Sequence, residues 1–279
     1  MNGYAQPCLA LIGMPQSGKS TYLGALWALV QSPIEEAVRE ASFIGDRSYI
    51  QSLAEQVARG EELHRTGVDA DEEMAVELEF TGLGRAAVRI PDTSGESLRV
   101  LVESQLWHPR LRGACANATA VMLFVHPAHI RVPQPSSLLT VVEPSANSAA
   151  NGTAVPFDVH DHACTAAELI DVFENVTELC RLRWPIRVAV IVSAWDRLDE
   201  TLTPYEWLRA RLPGFVSTVE SGAQMARLEV FGVSAQGGSL DAHESPLAKG
   251  EICDRVFAKD RSGMPVSLVA PMRWAVFGQ

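Results

Sequence analysis

The sequence predicts an α/β fold: a three-layer sandwich whose sheet is mostly parallel with one antiparallel hairpin strand. Three observations carry that prediction. Short apolar runs alternate with amphipathic stretches along most of the chain. One run, Ala118 to Val125, is almost wholly apolar, as a strand covered on both faces must be. The first run, Cys8 to Ile12, enters the loop Gly13-Met14-Pro15-Gln16-Ser17-Gly18-Lys19-Ser20, and a helix-like stretch from Thr21 to Val30 follows.

That loop satisfies G-x-x-x-x-G-K-[ST], the spacing of a phosphate cradle. Glycines let successive backbone N–H groups turn toward phosphate oxygens, the lysine adds a point charge near the β- and γ-phosphates, and the serine hydroxyl can ligate Mg²⁺. Next come residues 33–63, charged and helical in pattern, with Ile44, Ile50, Leu53 and Val57 near helical spacing; they predict a helical insertion. Residues 61–71 then lose periodicity and read as a polar loop. Ala75 to Phe80 and Ala86 to Ile90 each alternate with period two around Thr81-Gly82-Leu83-Gly84, which predicts a β-hairpin. Its second strand runs into Pro91-Asp92-Thr93-Ser94-Gly95-Glu96, and Ser97 to Leu111 reads as one amphipathic helix.

The apolar run ending at Val125 belongs in the centre of the sheet. Residues 126–163, broken by Pro133, Pro135, Pro144, Pro156 and a Ser/Ala/Asn/Gly stretch, predict a long irregular insertion. Within it, His160-Asp161-His162 reads as polar loop rather than metal site, because no partner cluster accompanies it. Thr165 to Glu168 forms a capping-box pattern ahead of Leu169, Ile170, Phe173, Val176 and Cys180 on one face. A strand from Ile186 to Val192 ends at Ser193-Ala194-Trp195-Asp196. A second capping box, Thr203 to Glu206 with Pro204 first in the helix, opens a helix to about Val219. The last apolar strand, Arg227 to Val233, ends at Ser234-Ala235-Gln236-Gly237-Gly238, and residues 264–279 read as a closing helix. Residues 1–279 are expected to form a single domain.

Composition narrows the partners. A net charge of −11 and a pI near 5.1 argue against a broad electrostatic grip on nucleic acid or anionic membrane. The five cysteines lack a C-x-x-C pair, so no zinc site or disulfide framework is indicated, which fits a reducing cytoplasm. No apolar stretch has the length of a membrane helix. Three glycosylation sequons, at Asn117, Asn151 and Asn175, carry no weight without secretion.

Strand ends of an alternating α/β chain gather on one sheet edge. Here they bring together the phosphate loop, Asp92, Asp196 and Ser234. An acidic residue after a buried strand can hold Mg²⁺ opposite the Ser20 hydroxyl or can cap the next helix. Gly95 would leave room for its N–H to approach a γ-phosphate, which a Cβ would crowd.

With these residues in order, the chain resembles the P-loop GTPases of the translation-factor-related class, and so the P-loop NTPase fold. Asp92-Thr93-Ser94-Gly95 matches D-x-x-G, Ser193-Ala194-Trp195-Asp196 sits where N/T-K-x-D should be, and Ser234-Ala235 resembles the base-contacting S-A-K/L motif. More narrowly, the D-T-S-G-E sequence, the helices before the hairpin and Pro271-Met272-Arg273-Trp274 are similar to the bacterial double-GTPase type. The resemblance implies GTP or GDP held by Gly13, Gln16, Ser17, Gly18, Lys19, Ser20 and Thr21, with Asp196, Ser234 and Ala235 at the base. It implies Mg²⁺ held by Ser20, Thr66 and Asp92, Thr66 being the sole threonine between Thr21 and Thr81. Hydrolysis would fall to Lys19, Gly95 and Glu96, the last orienting water or merely occupying a first helical turn. Ser193 and Ala194 replace the family's Asn and Lys, which removes a structural tether and the aliphatic stem over the base. Trp195 either fills the core or packs beside the base.

The resemblance therefore implies a Mg²⁺-dependent, slowly hydrolysing GTP switch whose loops a protein partner reads. Two alternatives stay open: a non-hydrolysing pseudo-GTPase interaction module, and a P-loop ATPase or kinase, though the insertion offers Arg131 alone as a lid cation.

Overall fold

The first strand, Cys8–Gly13 (β1), is buried at all six positions and delivers the glycine–lysine loop to the helix Lys19–Val30 (α1). A computed structural model describes residues 6–32, 37–61, 63, 74–91, 95–131, 165–198, 201–238 and 252–279. After α1 come Val38–Ile44 (β2), Arg47–Arg59 (α2), Met74–Phe80 (β3) and Gly84–Ile90 (β4). Glu96–Ser104 (α3) and Pro109–Asn117 (α4) lead into Ala120–Val125 (β5). Thr165–Leu179 (α5), Ile186–Val192 (β6), Pro204–Arg211 (α6), Pro213–Ser221 (α7) and Ala226–Ser234 (β7) follow. The chain closes with Ile252–Arg255 (α8), Phe257–Lys259 (β8), Pro265–Val266 (β9) and Ala270–Phe277 (α9).

The strands form one sheet in the order β2-β3-β4-β1-β5-β6-β7-β8-β9. Its middle is parallel from β4 to β7, with β5 at the centre as its apolar sequence predicts. The β3–β4 hairpin is antiparallel, pairing Met74 with Ile90 and Phe80 with Gly84. Helices α1, α2 and α9 cover one face through Leu9, Leu11, Tyr22, Ile50 and Met272. Helices α3 to α7 cover the other through Ala10, Ile12, Leu98, Phe173 and Phe215. Three layers result, as expected of a doubly covered parallel sheet. Cys8, Cys115 and Cys180 are buried, and burial pushes the Cys180 thiol up to about 11.

Four elements differ from the sequence reading. Residues 33–63 contain an edge strand, β2, before their helix. It pairs antiparallel with β3 and shifts register between Glu40 and Ser42. Val38 and Phe43 are five positions apart, so a regular strand would point them to opposite faces. The bulge brings both inward and hides the period-two signal. In 264–279, the first residues form β9 and only Ala270–Phe277 is helical; together with β8 this adds two strands too short to show a period. The helix expected over 97–111 breaks at Gln105, which has φ +58°, and α4 begins afresh at Pro109. The helix expected from Thr203 to Val219 is split at Pro213, whose ring cannot continue the ladder. The irregular insertion lies mostly outside the described residues. At its root Arg131 N–H donates to Thr165 Oγ1 at 2.8 Å, and the Arg131 guanidinium bonds the buried Glu168 carboxylate.

Candidate functional site

The carboxyl ends of β4, β1, β6 and β7 meet on one edge, and the phosphate loop lies at their centre. Gly18, with φ +94°, opens α1 without any side-chain cap, so the helix presents its first N–H groups to the loop's concavity. Lys19 is buried, and its Nζ donates to Gly13 O at 2.6 Å and Met14 O at 3.1 Å. The lysine thus arches over the loop that it serves, its charge held by main-chain carbonyls. Gln16 sits at the tip with φ +59°. A Cβ on Gly13 would lie 2.5 Å from Ser17 Oγ and 2.9 Å from Phe124 Cβ, so only glycine lets the loop fold back on β5. Ser17 Oγ is buried with no hydrogen-bond partner among the described residues, an orphaned polar atom that an anion-binding loop can employ. Ser20 and Thr21 stand half-buried on the first turn of α1.

Gly95 packs directly onto this loop. It caps α3 with φ +84°, and a Cβ there would fall 2.6 Å from Met14 C and Pro15 N and 2.7 Å from Gly13 O. The glycine is therefore required by the neighbouring backbone itself, beyond any room that a phosphate needs. Glu96 opens α3, and its carboxylate pairs with Arg99 one turn along.

At the end of β6, Ser193 corrects one expectation. In place of the missing asparagine, the Ser193 hydroxyl donates to Ser17 O at 2.8 Å, and its N–H donates to Val125 O at 3.0 Å. The tether to the phosphate loop is retained by a shorter side chain, because Gly18 lets the two segments touch: a Cβ on Gly18 would lie 2.8 Å from Ser193 Cβ. Sequence comparison of the motif alone could not find this, since it depends on the spacing between two loops. Trp195 belongs to the core. It is 5% exposed, lies against Trp207 with ring centroids 6.3 Å apart, and leaves Gly232 no room for a side chain. Ala194, at φ +49°, and Trp195 turn the chain into a short 3₁₀ segment that carries Asp196, half-buried.

Ser234 is fully buried at the end of β7, where its Oγ accepts from Gly237 N–H at 3.1 Å; Ala235 beside it is also buried. The described site residues thus come from four strand ends on one edge of the sheet, and a single serine ties two of them. His126 and His129 pair at the end of β5 with ring centroids 4.9 Å apart, and burial holds the His126 imidazole below its ordinary value, His129 and Arg197 adding to the effect. Thr66, Asp92 and His160 to His162 lie outside the described residues. Among those described, no group of three or more His, Cys, Asp or Glu side chains could hold a metal ion. Likewise no described helix is long and apolar enough to cross a membrane.

Residues 10–275 match the family described as Double-GTPase 1. No curated protein matches the sequence. Among solved structures, the chain is similar to the bacterial selenocysteine-specific elongation factor EF-Sec at 13% identity, with a TM-score of 0.38, over 83% of this chain and 26% of that one. It is similar to a chain of the signal recognition particle receptor SRb-GTP/SRX complex from Chaetomium thermophilum at 16% identity, with a TM-score of 0.41, over 85% and 94% of the two chains. A third similar structure is Sup35 complexed with GDP, at 12% identity and a TM-score of 0.32, over 86% and 39%. The chain spans about a quarter of the elongation factor's length.

Proposed function

Because the chain belongs to the Double-GTPase 1 family, we propose that it is a Mg²⁺-dependent GTP-binding protein that hydrolyses GTP slowly and acts as a nucleotide-controlled switch. The observation that carries this reading is the phosphate loop: an uncapped helix N-terminus, a buried lysine arched over it, and a hydroxyl tie to the base-reading segment. Lys19 and the first N–H groups of α1 bind the phosphates; Asp196 accepts the N1–H and 2-amino protons of guanine, a fork adenine cannot fill. Ser234 and Ala235 complete the base side. Ser20, with Thr66 and Asp92, would hold Mg²⁺, which when bound neutralises phosphate charge. Gly95 and Glu96 form the turn that responds to the γ-phosphate, and that turn is the surface a protein partner reads.

Glu96 is the residue we assign to orienting the attacking water. Arg99 competes for the same carboxylate oxygens, which supports slow turnover and favours a second reading, a nucleotide-binding interaction module that does not hydrolyse. Phosphate release separates the two.

The deciding experiment is binding of fluorescent GDP with Mg²⁺, competed by unlabelled GTP, GDP and ATP. Competition by guanine nucleotides alone is expected, and equal competition by ATP would sink the guanine reading. Lys19→Ala is expected to abolish triphosphate binding, and affinity that survived would put the phosphates elsewhere. Asp196→Asn is expected to narrow the GTP-to-ATP preference by at least about tenfold, since a carboxylate that adenine leaves unpaired costs about 1–3 kcal/mol; an unchanged ratio would move base recognition to another residue.

A further inference from the structure

Arg255 is a buried cation outside the nucleotide site as drawn above. It is 8% exposed at the end of α8, and burial holds its guanidinium below the ordinary arginine value. Its Nη2 donates to Val57 O and, at 2.7 Å, to Ala58 O. Those carbonyls belong to the last turn of α2, where the helix dipole favours a cation, and Val57 O also accepts from Gly60 N–H at 3.0 Å. From the other side, the turn after β7 presses on the same residue. A Cβ on Gly237 would lie 2.5 Å from Arg255 O and 2.7 Å from Arg255 Cβ. Gly237 N–H in turn donates to Ser234 Oγ, so the turn that carries Ser234 and Ala235 touches the residue that caps α2.

We propose that Arg255 is a positioning residue that couples the base-contacting turn to the last turn of α2, so that filling the base site tightens residues 57–60. The proposal rests on the guanine-nucleotide reading of the site. A guanidinium shared by two carbonyls in a low-dielectric setting loses both bonds together if its backbone shifts, so the link has two discrete states rather than a graded response. Nucleotide contacts that fix the turn also fix the Arg255 backbone, and by reciprocity a loosened cap weakens nucleotide binding.

Hydrogen–deuterium exchange on the full chain with Mg²⁺, with and without GDP, tests this. In the wild type, GDP is expected to protect residues 13–20, 234–238 and the amides of 57–60. In Arg255→Met the protection of 57–60 is expected to vanish while that of 13–20 persists, with GDP affinity about tenfold weaker and Arg255→Lys in between. Protection of 13–20 with none at 57–60 in the wild type would overturn the coupling alone. Absence of protection at 13–20 would take down the nucleotide reading and this inference with it. The wild-type comparison decides the matter even where Arg255→Met does not fold, and Gly237→Ala, which drives a Cβ into the Arg255 backbone, is expected to act as Arg255→Met does.

Discussion

Ser193 shows how a motif can lose its usual side chain and keep its geometry. Its hydroxyl bonds Ser17 O at 2.8 Å inside a buried contact, so Ser193→Ala leaves that carbonyl without this donor. A cost of about 1 kcal/mol in unfolding free energy is expected, together with weaker nucleotide binding, because the base-reading segment is no longer fixed to the phosphate loop. Urea unfolding and GDP titration of the same variant check both parts. Equal affinity would mean that the tie serves stability alone. The phosphate loop was legible in the sequence because its chemistry is local: Gly13, Gly18 and Lys19 do their work within one turn of chain. The tie was not, because it joins residues 176 positions apart. Gly95 was legible as a glycine that something must approach, but the approaching group is main chain from Met14 and Pro15, which only the packing of two loops reveals.

At the level of elements, α1 and α2 cross at Gly24. An alanine Cβ there would fall 2.7 Å from Leu53 O and 2.9 Å from Leu53 C, both main-chain atoms that cannot rotate away. Helix propensity alone favours Gly24→Ala by about 1 kcal/mol. Overpacking against backbone costs about 1–3 kcal/mol, so the variant is expected to be destabilised and α2 displaced. A lower urea midpoint would bear this out, whereas a higher one would mean the helices slide apart freely. The long strands and the hairpin were legible because burial on one or both faces imposes period or apolar continuity over many residues. β2 was not, because its bulge breaks the parity of Val38 and Phe43; β8 and β9 were not, because two or three residues hold no period. The helix breaks at Gln105 and Pro213 differ in the same way. Pro213 is a helix breaker that stands in the sequence itself, while nothing about a glutamine announces a left-handed residue.

Across the whole molecule, layering followed from composition and alternation, and the face that each helix covers followed from the strand order. The stability of the whole also carries a pH signature. The folded chain holds the His126 proton more weakly than an unfolded chain does, mainly through burial. Unfolding therefore takes up a proton just below the ordinary value of 6.5, and stability rises with pH through that window and is lost as pH falls. The folded-state groups that set this balance, besides burial, are His129 and Arg197. His126→Gln is expected to flatten the dependence of the urea midpoint on pH just below 6.5. An unchanged slope would assign it to other groups.

The sheet's two outermost strands also bear on how the molecule behaves in company. Among the described residues the sheet has nine strands and two rims, and an open rim invites another chain to add a strand and seed self-association. One rim here is β2, kinked by its bulge and carrying Arg39 and Glu40 in ion pairs with Glu79 and Arg47. The other is β9, two residues long and begun by Pro265, which has no N–H to donate. Each rim is a poor template for a further strand, so the described sheet is guarded against lateral growth.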